Sequence, residues 1–149
     1  MKNGKVQAAI LGCGNIGNNH AKAILNNSDL INLYAVCDII PEKAELYQEK
    51  YHAERVYTNM EDLLRDPVVD MVSICTPSGY HAEHVVACAA HGKNVLCEKP
   101  LDITREKIQK MIDSFKDTKL KAGAVFQYRT YPGIQRAKEI IQSGELGKI

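Results

Sequence analysis

Six short apolar runs, at 6–11, 31–37, 55–57, 71–75, 95–97 and 122–126, alternate with stretches whose apolar residues recur at helical spacing, and no feature of the chain narrows its possible folds more. Runs of this length bounded by turn residues read as buried strands. Between them, Ala82, Val85, Val86 and Ala89, then Ile108, Met111, Ile112 and Phe115, follow the i, i+3, i+4, i+7 pattern of a helix with one apolar face. Strands alternating with helices over short connections require right-handed crossovers, so the expected fold is α/β: a doubly wound parallel sheet covered on both faces. Punctuation agrees. Pro41 suits a helix start, Thr58 with Glu61 forms a candidate capping box, and Gly92 and Gly144 fall where helix ends need a left-handed residue. At 149 residues and 45% hydrophobic content the chain can build one domain-sized core.

Charge excludes some partners. Nineteen basic residues stand against 18 acidic ones with no block of one sign, so no nucleic acid or anionic membrane is expected as a partner. The start MKNGKVQAAILGCG faintly resembles a secretion signal, but its apolar run is short and leads into a glycine motif. No uninterrupted apolar segment approaches the roughly 18 residues of a membrane helix. Five cysteines, odd in number and without a CxxC pair, fit a reduced, cytoplasmic setting, with Cys97 the one to watch for reactivity.

AAILGCGNIG places Gly12, Gly14 and Gly17 in GxGxxG spacing between the first strand and the first helix, with Asn15 and Ile16 inside the turn. Such glycines permit a tight turn, close approach of backbone to a pyrophosphate and close helix–strand packing, and the helix N-terminus offers N–H groups to the anion. Asp38 ends the second strand 21 positions after Gly17. A carboxylate there can accept both hydroxyls of an adenine ribose and repels a 2′-phosphate, which favours NAD over NADP as the cofactor. Two other readings stay open: Asp38 as a helix cap ahead of Pro41, and a methyltransferase with a glycine-rich loop and an acidic residue.

In open parallel sheets ligands bind beyond the carboxyl ends of the strands. The unusual residues collect there. The fourth run ends in CTPSGYH, which brings Thr76, Pro77 and His81 to the crevice; the fifth ends in Glu98, Lys99 and Pro100; the sixth leads to Gln127, Tyr128 and Arg129. Proline disfavours a helical conformation in the preceding residue, so Lys99 is expected extended, with its ammonium just past the strand end. Glu98 is either a ribose ligand or an ion-pair partner for a nearby base. Gln127 is assigned to the cofactor and Tyr128 and Arg129 to the substrate, with a domain-joining hydrogen-bond cluster as the alternative for all three. His81 and His84 lie three apart but lack a third ligand of fitting spacing, so no metal is expected. His20, His52 and His91 read as surface or helix-end residues.

GCGNIG, SICTPSGYHAEHVVACAAHGKNVLCEKPLDIT and QYRTYPGIQRAKEIIQSGELGKI together resemble the Gfo/Idh/MocA oxidoreductases, a family of NAD(P)-dependent sugar and cyclitol dehydrogenases, over nearly the whole chain. The resemblance implies a dinucleotide-binding Rossmann domain over 1–126, and over 127–149 a connecting helix with the start of a second, mostly antiparallel sheet domain that holds the substrate and drives homo-oligomerisation. It implies that Lys99 lies near the nicotinamide and the reacting hydroxyl as the catalytic residue, that Glu98 contacts the nicotinamide ribose, and that His81 has a structural or cofactor-edge role. Glu98 beside it opposes the lowered pKa a lysine base needs. The implied substrate is a sugar, nucleotide-sugar or cyclitol secondary alcohol. The chain is either a fragment of such an enzyme or a dinucleotide-sensing or interaction module.

Overall fold

The structure, a computed structural model, describes residues 4–148; positions 1–3 of the signal-like start, and Ile149, lie outside the described residues. Strands β1 (Val6–Leu11), β2 (Ile31–Cys37), β3 (Arg55–Tyr57), β4 (Met71–Ile74), β5 (Asn94–Cys97) and β6 (Ala122–Ala124) alternate with helices α1 (Asn15–Asn26), α2 (Pro41–Tyr51), α3 (Met60–Arg65), α4 (His81–Ala90), α5 (Arg105–Phe115) and α6 (Pro132–Ser143). All strand pairs are parallel, in the order β3-β2-β1-β4-β5-β6. The doubly wound sheet read from the apolar runs is therefore present. β4 and β6 stop short of the expected 75 and 126.

Side chains alternate along the strands and split the core in two. Ala8 and Ile10 of β1 pack with Ala21, Ile24, Ala44 and Tyr47 of α1 and α2 on one face. Ala9 and Leu11 pack with Leu63, Leu64, Val85 and Met111 of α3, α4 and α5 on the other. The β1–β2 register slips between Ala8 and Ala9, so that Leu33 and Ala35 are consecutive partners and Tyr34 is the extra residue of a bulge. Tyr34 and Ala35 consequently both join the α3–α5 side.

Pro41 starts α2, and Gly92 and Gly144 have positive φ after α4 and α6, as expected. The capping box at Thr58 is corrected: Asn59 is the N-cap of α3, and its side chain accepts from the Glu61 N–H at 2.7 Å. An Asx cap one residue nearer the helix satisfies the same free amide. The apolar faces of α4 and α5 are also narrower than their spacing suggests, since Val86 and Ile112 are exposed while Cys88 is buried.

Candidate functional site

Backbone hydrogen bonds running across the strand ends set the site. Asp38 N–H donates to Tyr57, Gly12 to Cys37, Cys75 to Leu11, Glu98 to Ile74 and Val125 to Cys97, at 2.8–3.2 Å. Because every strand points the same way, these bonds align Asp38, the glycine turn, Cys75-Thr76, Glu98 and the segment after β6 along one carboxyl rim. The β1–β4 neighbourhood, where strand order reverses, lies at its centre.

At that switch point the glycines have separate reasons. Gly12 has φ +98°, and a β-carbon on it would stand 2.8 Å from the backbone carbon and oxygen of Cys75. A β-carbon on Gly17 would meet the Gly12 carbonyl oxygen at 2.8 Å and the Tyr47 hydroxyl at 3.0 Å. Gly14 is exposed and faces nothing within 4 Å, so no protein neighbour explains its missing side chain. Gly14 is also the N-cap of α1, which like α6 has no side-chain cap and no acidic residue in its first turn, whereas α2, α3, α4 and α5 carry one or two there. An open approach to uncapped N–H groups at the positive end of a helix fits an anionic pyrophosphate. Asn15 is exposed and Ile16 half-buried beside it.

Asp38 does not cap α2, whose N-cap is Ile40. Its Oδ2 accepts from the Cys13 N–H at 2.8 Å and its Oδ1 from the Ile40 N–H at 3.0 Å. The carboxylate is thus clamped against the glycine turn, and each oxygen keeps acceptor capacity for a ribose hydroxyl.

Past β4, Thr76 is held at two points: its hydroxyl lies 2.9 Å from His84 Nδ1 and its carbonyl 2.8 Å from His81 Nε2. His81 is 1% exposed, with Nδ1 2.7 Å from the Pro100 carbonyl. Of the two roles expected for His81, structural or at the cofactor edge, the burial and these two contacts fit the structural one. Both ring nitrogens are committed to backbone carbonyls, and the ring braces the Thr76 segment against Pro100. Pro77 is exposed, next to a short 3₁₀ turn at Ser78–Tyr80. Burial lowers the pKa of His84, with Glu83 opposing.

Past β5, Glu98 and Lys99 part company. Lys99 is exposed, and its peptide bond to Pro100 is cis. Glu98 is 5% exposed; Oε1 lies 3.0 Å from His20 Nε2, and Oε2 accepts from the Lys99 N–H at 3.0 Å. His20 is corrected from surface residue to buried partner of Glu98.

A groove of about 590 Å³ runs along α1 over the uncovered part of the sheet, lined by Ile16, Asn19, His20, Ser73, Glu98 and Gln127 among others. Gln127 thus faces the same space as Glu98. Tyr128 and Arg129 are exposed and do not line it, and Tyr128 sits edge-on to Tyr131, 5.1 Å between ring centres. All five cysteines are buried and unbridged. Burial first, then the charges of Glu98 and Asp102, push the Cys97 thiol up to about 12, so it is a packing residue and not a nucleophile.

Two supporting side chains were not among the expected site residues, although Asp102 lies within the EKPLDIT stretch. Tyr47 of α2 donates its hydroxyl to the Gly14 carbonyl, holding the glycine turn from behind. Asp102 accepts from the N–H groups of Ala82, at 2.9 Å, and Ile103, at 2.6 Å, and so closes the N-terminus of α4. Among the described residues no group of three or more His, Cys, Asp or Glu is placed to hold a metal, and no helix is long and apolar enough to cross a membrane.

Comparison with known proteins agrees with this geometry. The GFO_IDH_MocA family model, described as an oxidoreductase family with an NAD-binding Rossmann fold, matches residues 6–126. Myo-inositol 2-dehydrogenase of Thermotoga maritima is 32% identical over 143 residues, 96% of this chain and 42% of its own length. Inositol 2-dehydrogenase of Rhizobium meliloti is 34% identical over 97% of this chain and 43% of its own. The WlbA dehydrogenase of Bordetella pertussis, solved in complex with NADH and UDP-GlcNAcA, superposes with a TM-score of 0.93 at 29% identity, covering 97% of this chain and 44% of that one. The chain spans less than half the length of these relatives. A parallel sheet with its glycine turn at the switch point, matched over most of its length, places this chain in the Gfo/Idh/MocA oxidoreductase family.

Proposed function

We propose that this chain is the NAD-binding part of an oxidoreductase that moves a hydride between a secondary alcohol and a nicotinamide cofactor. The observation that carries the reading is the shared rim: the glycine turn, Asp38, Glu98 and Lys99 all follow carboxyl ends of one parallel sheet. Gly14 and the N-terminus of α1 would receive the pyrophosphate, Asp38 the adenine ribose and Glu98 the nicotinamide ribose. The clamped Asp38 carboxylate disfavours the extra phosphate of NADP. Bound there, the nicotinamide supplies the hydride acceptor or donor.

Lys99 is the exposed charged residue next to Glu98 and orients the substrate hydroxyl while helping to take its proton. Relatives named for inositol, and one solved with a nucleotide sugar, support a cyclitol, sugar or nucleotide-sugar alcohol as the substrate class. Five buried, unbridged cysteines support a reducing, cytoplasmic setting. The test is Lys99→Met in the protein expressed from its full coding sequence. Turnover is expected to fall by at least about 100-fold, the usual scale for losing an acid–base group, with NADH affinity within about threefold of the parent. Comparable turnover would refute the role of Lys99.

A further inference from the structure

His20 has no part in the cofactor scheme above, yet it is 9% exposed and both of its ring nitrogens face side chains from other elements. Nδ1 lies 2.5 Å from Ser73 Oγ on β4, and Nε2 lies 3.0 Å from Glu98 Oε1 just past β5. A carboxylate oxygen only accepts, so Nε2 carries the proton toward Glu98, while Nδ1 faces the Ser73 hydroxyl, which can donate or accept. Glu98 Oε2 in turn accepts from the Lys99 N–H. Ser73, 1% exposed, is the inner end of this chain of hydrogen bonds. Holding a carboxylate in so buried a place costs desolvation that an apolar contact would avoid, and its stability is weak reason to keep it. Its orientation is a better one. His20 stands in the second turn of α1, whose first turn begins at the glycine loop, so one side chain links the loop to the segment bearing Lys99.

We infer that His20 is a positioning residue: its Nε2–H fixes the Glu98 carboxylate, and through Glu98 the backbone of Lys99, at the nicotinamide end of the site. The link between His20, Glu98 and Lys99 stands on the hydrogen bonds alone, while its bearing on cofactor rests on the proposed function. Glutamine at position 20 can place an amide N–H where Nε2 stands. Asparagine is too short to do so and reaches only toward Ser73.

The test compares His20→Asn and His20→Gln in the protein expressed from its full coding sequence. Amide hydrogen exchange at Lys99 is read without ligand, and affinities are measured for NADH and for ADP-ribose, which lacks the nicotinamide. In His20→Asn, Lys99 exchange is expected to rise about tenfold and NADH affinity to fall about tenfold, the scale of one hydrogen bond to a charged group. ADP-ribose affinity should stay within about twofold, and His20→Gln should follow the parent in all three measurements. Unchanged Lys99 exchange in His20→Asn overturns the inference. So does an equal loss for ADP-ribose, which would make His20 a prop for α1, and so does a glutamine variant as impaired as the asparagine one. A parent that binds no NADH removes the cofactor reading, while Lys99 exchange still decides the positioning role. Should His20→Asn fail to fold, the imidazole nitrogen resonances of the parent decide: an Nε2 proton in slow exchange with water and coupled to the Glu98 carboxylate is expected, and an Nε2 without one contradicts the inference.

Discussion

Gly12 and Gly14 are the same residue type two positions apart, and the structure gives them opposite sensitivities. At Gly12 a methyl group meets the Cys75 backbone at 2.8 Å from a φ of +98°, so Gly12→Ala should destabilise the fold by about 2 to 4 kcal/mol, combining the left-handed penalty with overpacking. At Gly14 the space is open and φ is −97°, so Gly14→Ala should shift stability by less than about 0.5 kcal/mol while weakening NADH binding at least about tenfold. Denaturant midpoints and NADH titration of the two variants check the pair. The places of Gly12, Gly14, Gly17, Asp38 and Lys99 at a turn and at strand ends were legible in the sequence, because local spacing encodes both. His20 and Tyr47 were not. Their partners, Glu98 and Gly14, lie 78 and 33 positions away, and a histidine on a helix carries no local sign of what it faces. For His81 two roles stayed open, because its position after Thr76 and Pro77 says where the helix begins and not that the ring turns inward.

At the level of elements, α4 depends on a carboxylate from another segment. Burial pushes the Asp102 carboxyl up, but the N–H groups of Ala82 and Ile103 and the charges of Lys107 and His81 outweigh it, leaving its pKa below the usual value. A pKa lowered by folding stabilises above the unfolded value of about 3.9 and loses that contribution as pH falls through the folded value. Asp66 is held low in the same sense: burial raises it, and hydrogen bonds from Tyr57, Val68 and Tyr34 outweigh that. Stability should therefore drop below about pH 4. Asp102→Asn should cost about 1 to 2 kcal/mol at neutral pH, the scale of a lost helix cap, and flatten this acid limb; urea unfolding between pH 3 and 7 checks both. The strands were visible as apolar runs, whereas their ends depend on ladder bonds such as Val125 to Cys97, which no single segment specifies. The cap of α3 moved from Thr58 to Asn59 for a similar reason, since both residues can cap and only the path of the chain after β3 selects between them.

Across the whole molecule, alternation of strand and helix implied a parallel doubly wound sheet, but the order β3-β2-β1-β4-β5-β6 arises from pairing between distant segments. That order leaves part of one sheet face as the apolar groove beside α1. It also leaves α6 without a buried residue, with Ile134 and Ile141 more than half exposed. Apolar surface of this extent tends to find a cover. The 149-residue chain by itself should self-associate, with light scattering showing an average mass that rises with concentration; a strict monomer at high concentration would contradict this.

The central claim is that one elongated ligand reaches from Asp38 across the glycine turn to Lys99. It is tested most directly by adding NADH to the isotopically labelled protein and following backbone amide resonances. The amides of residues 12–17, of Asp38 and of Glu98 and Lys99 should shift together, along one binding curve, and ADP-ribose should move the first two groups while leaving the third. Saturating NADH that leaves Glu98 and Lys99 unmoved while the glycine turn responds would place the nicotinamide elsewhere and contradict the account.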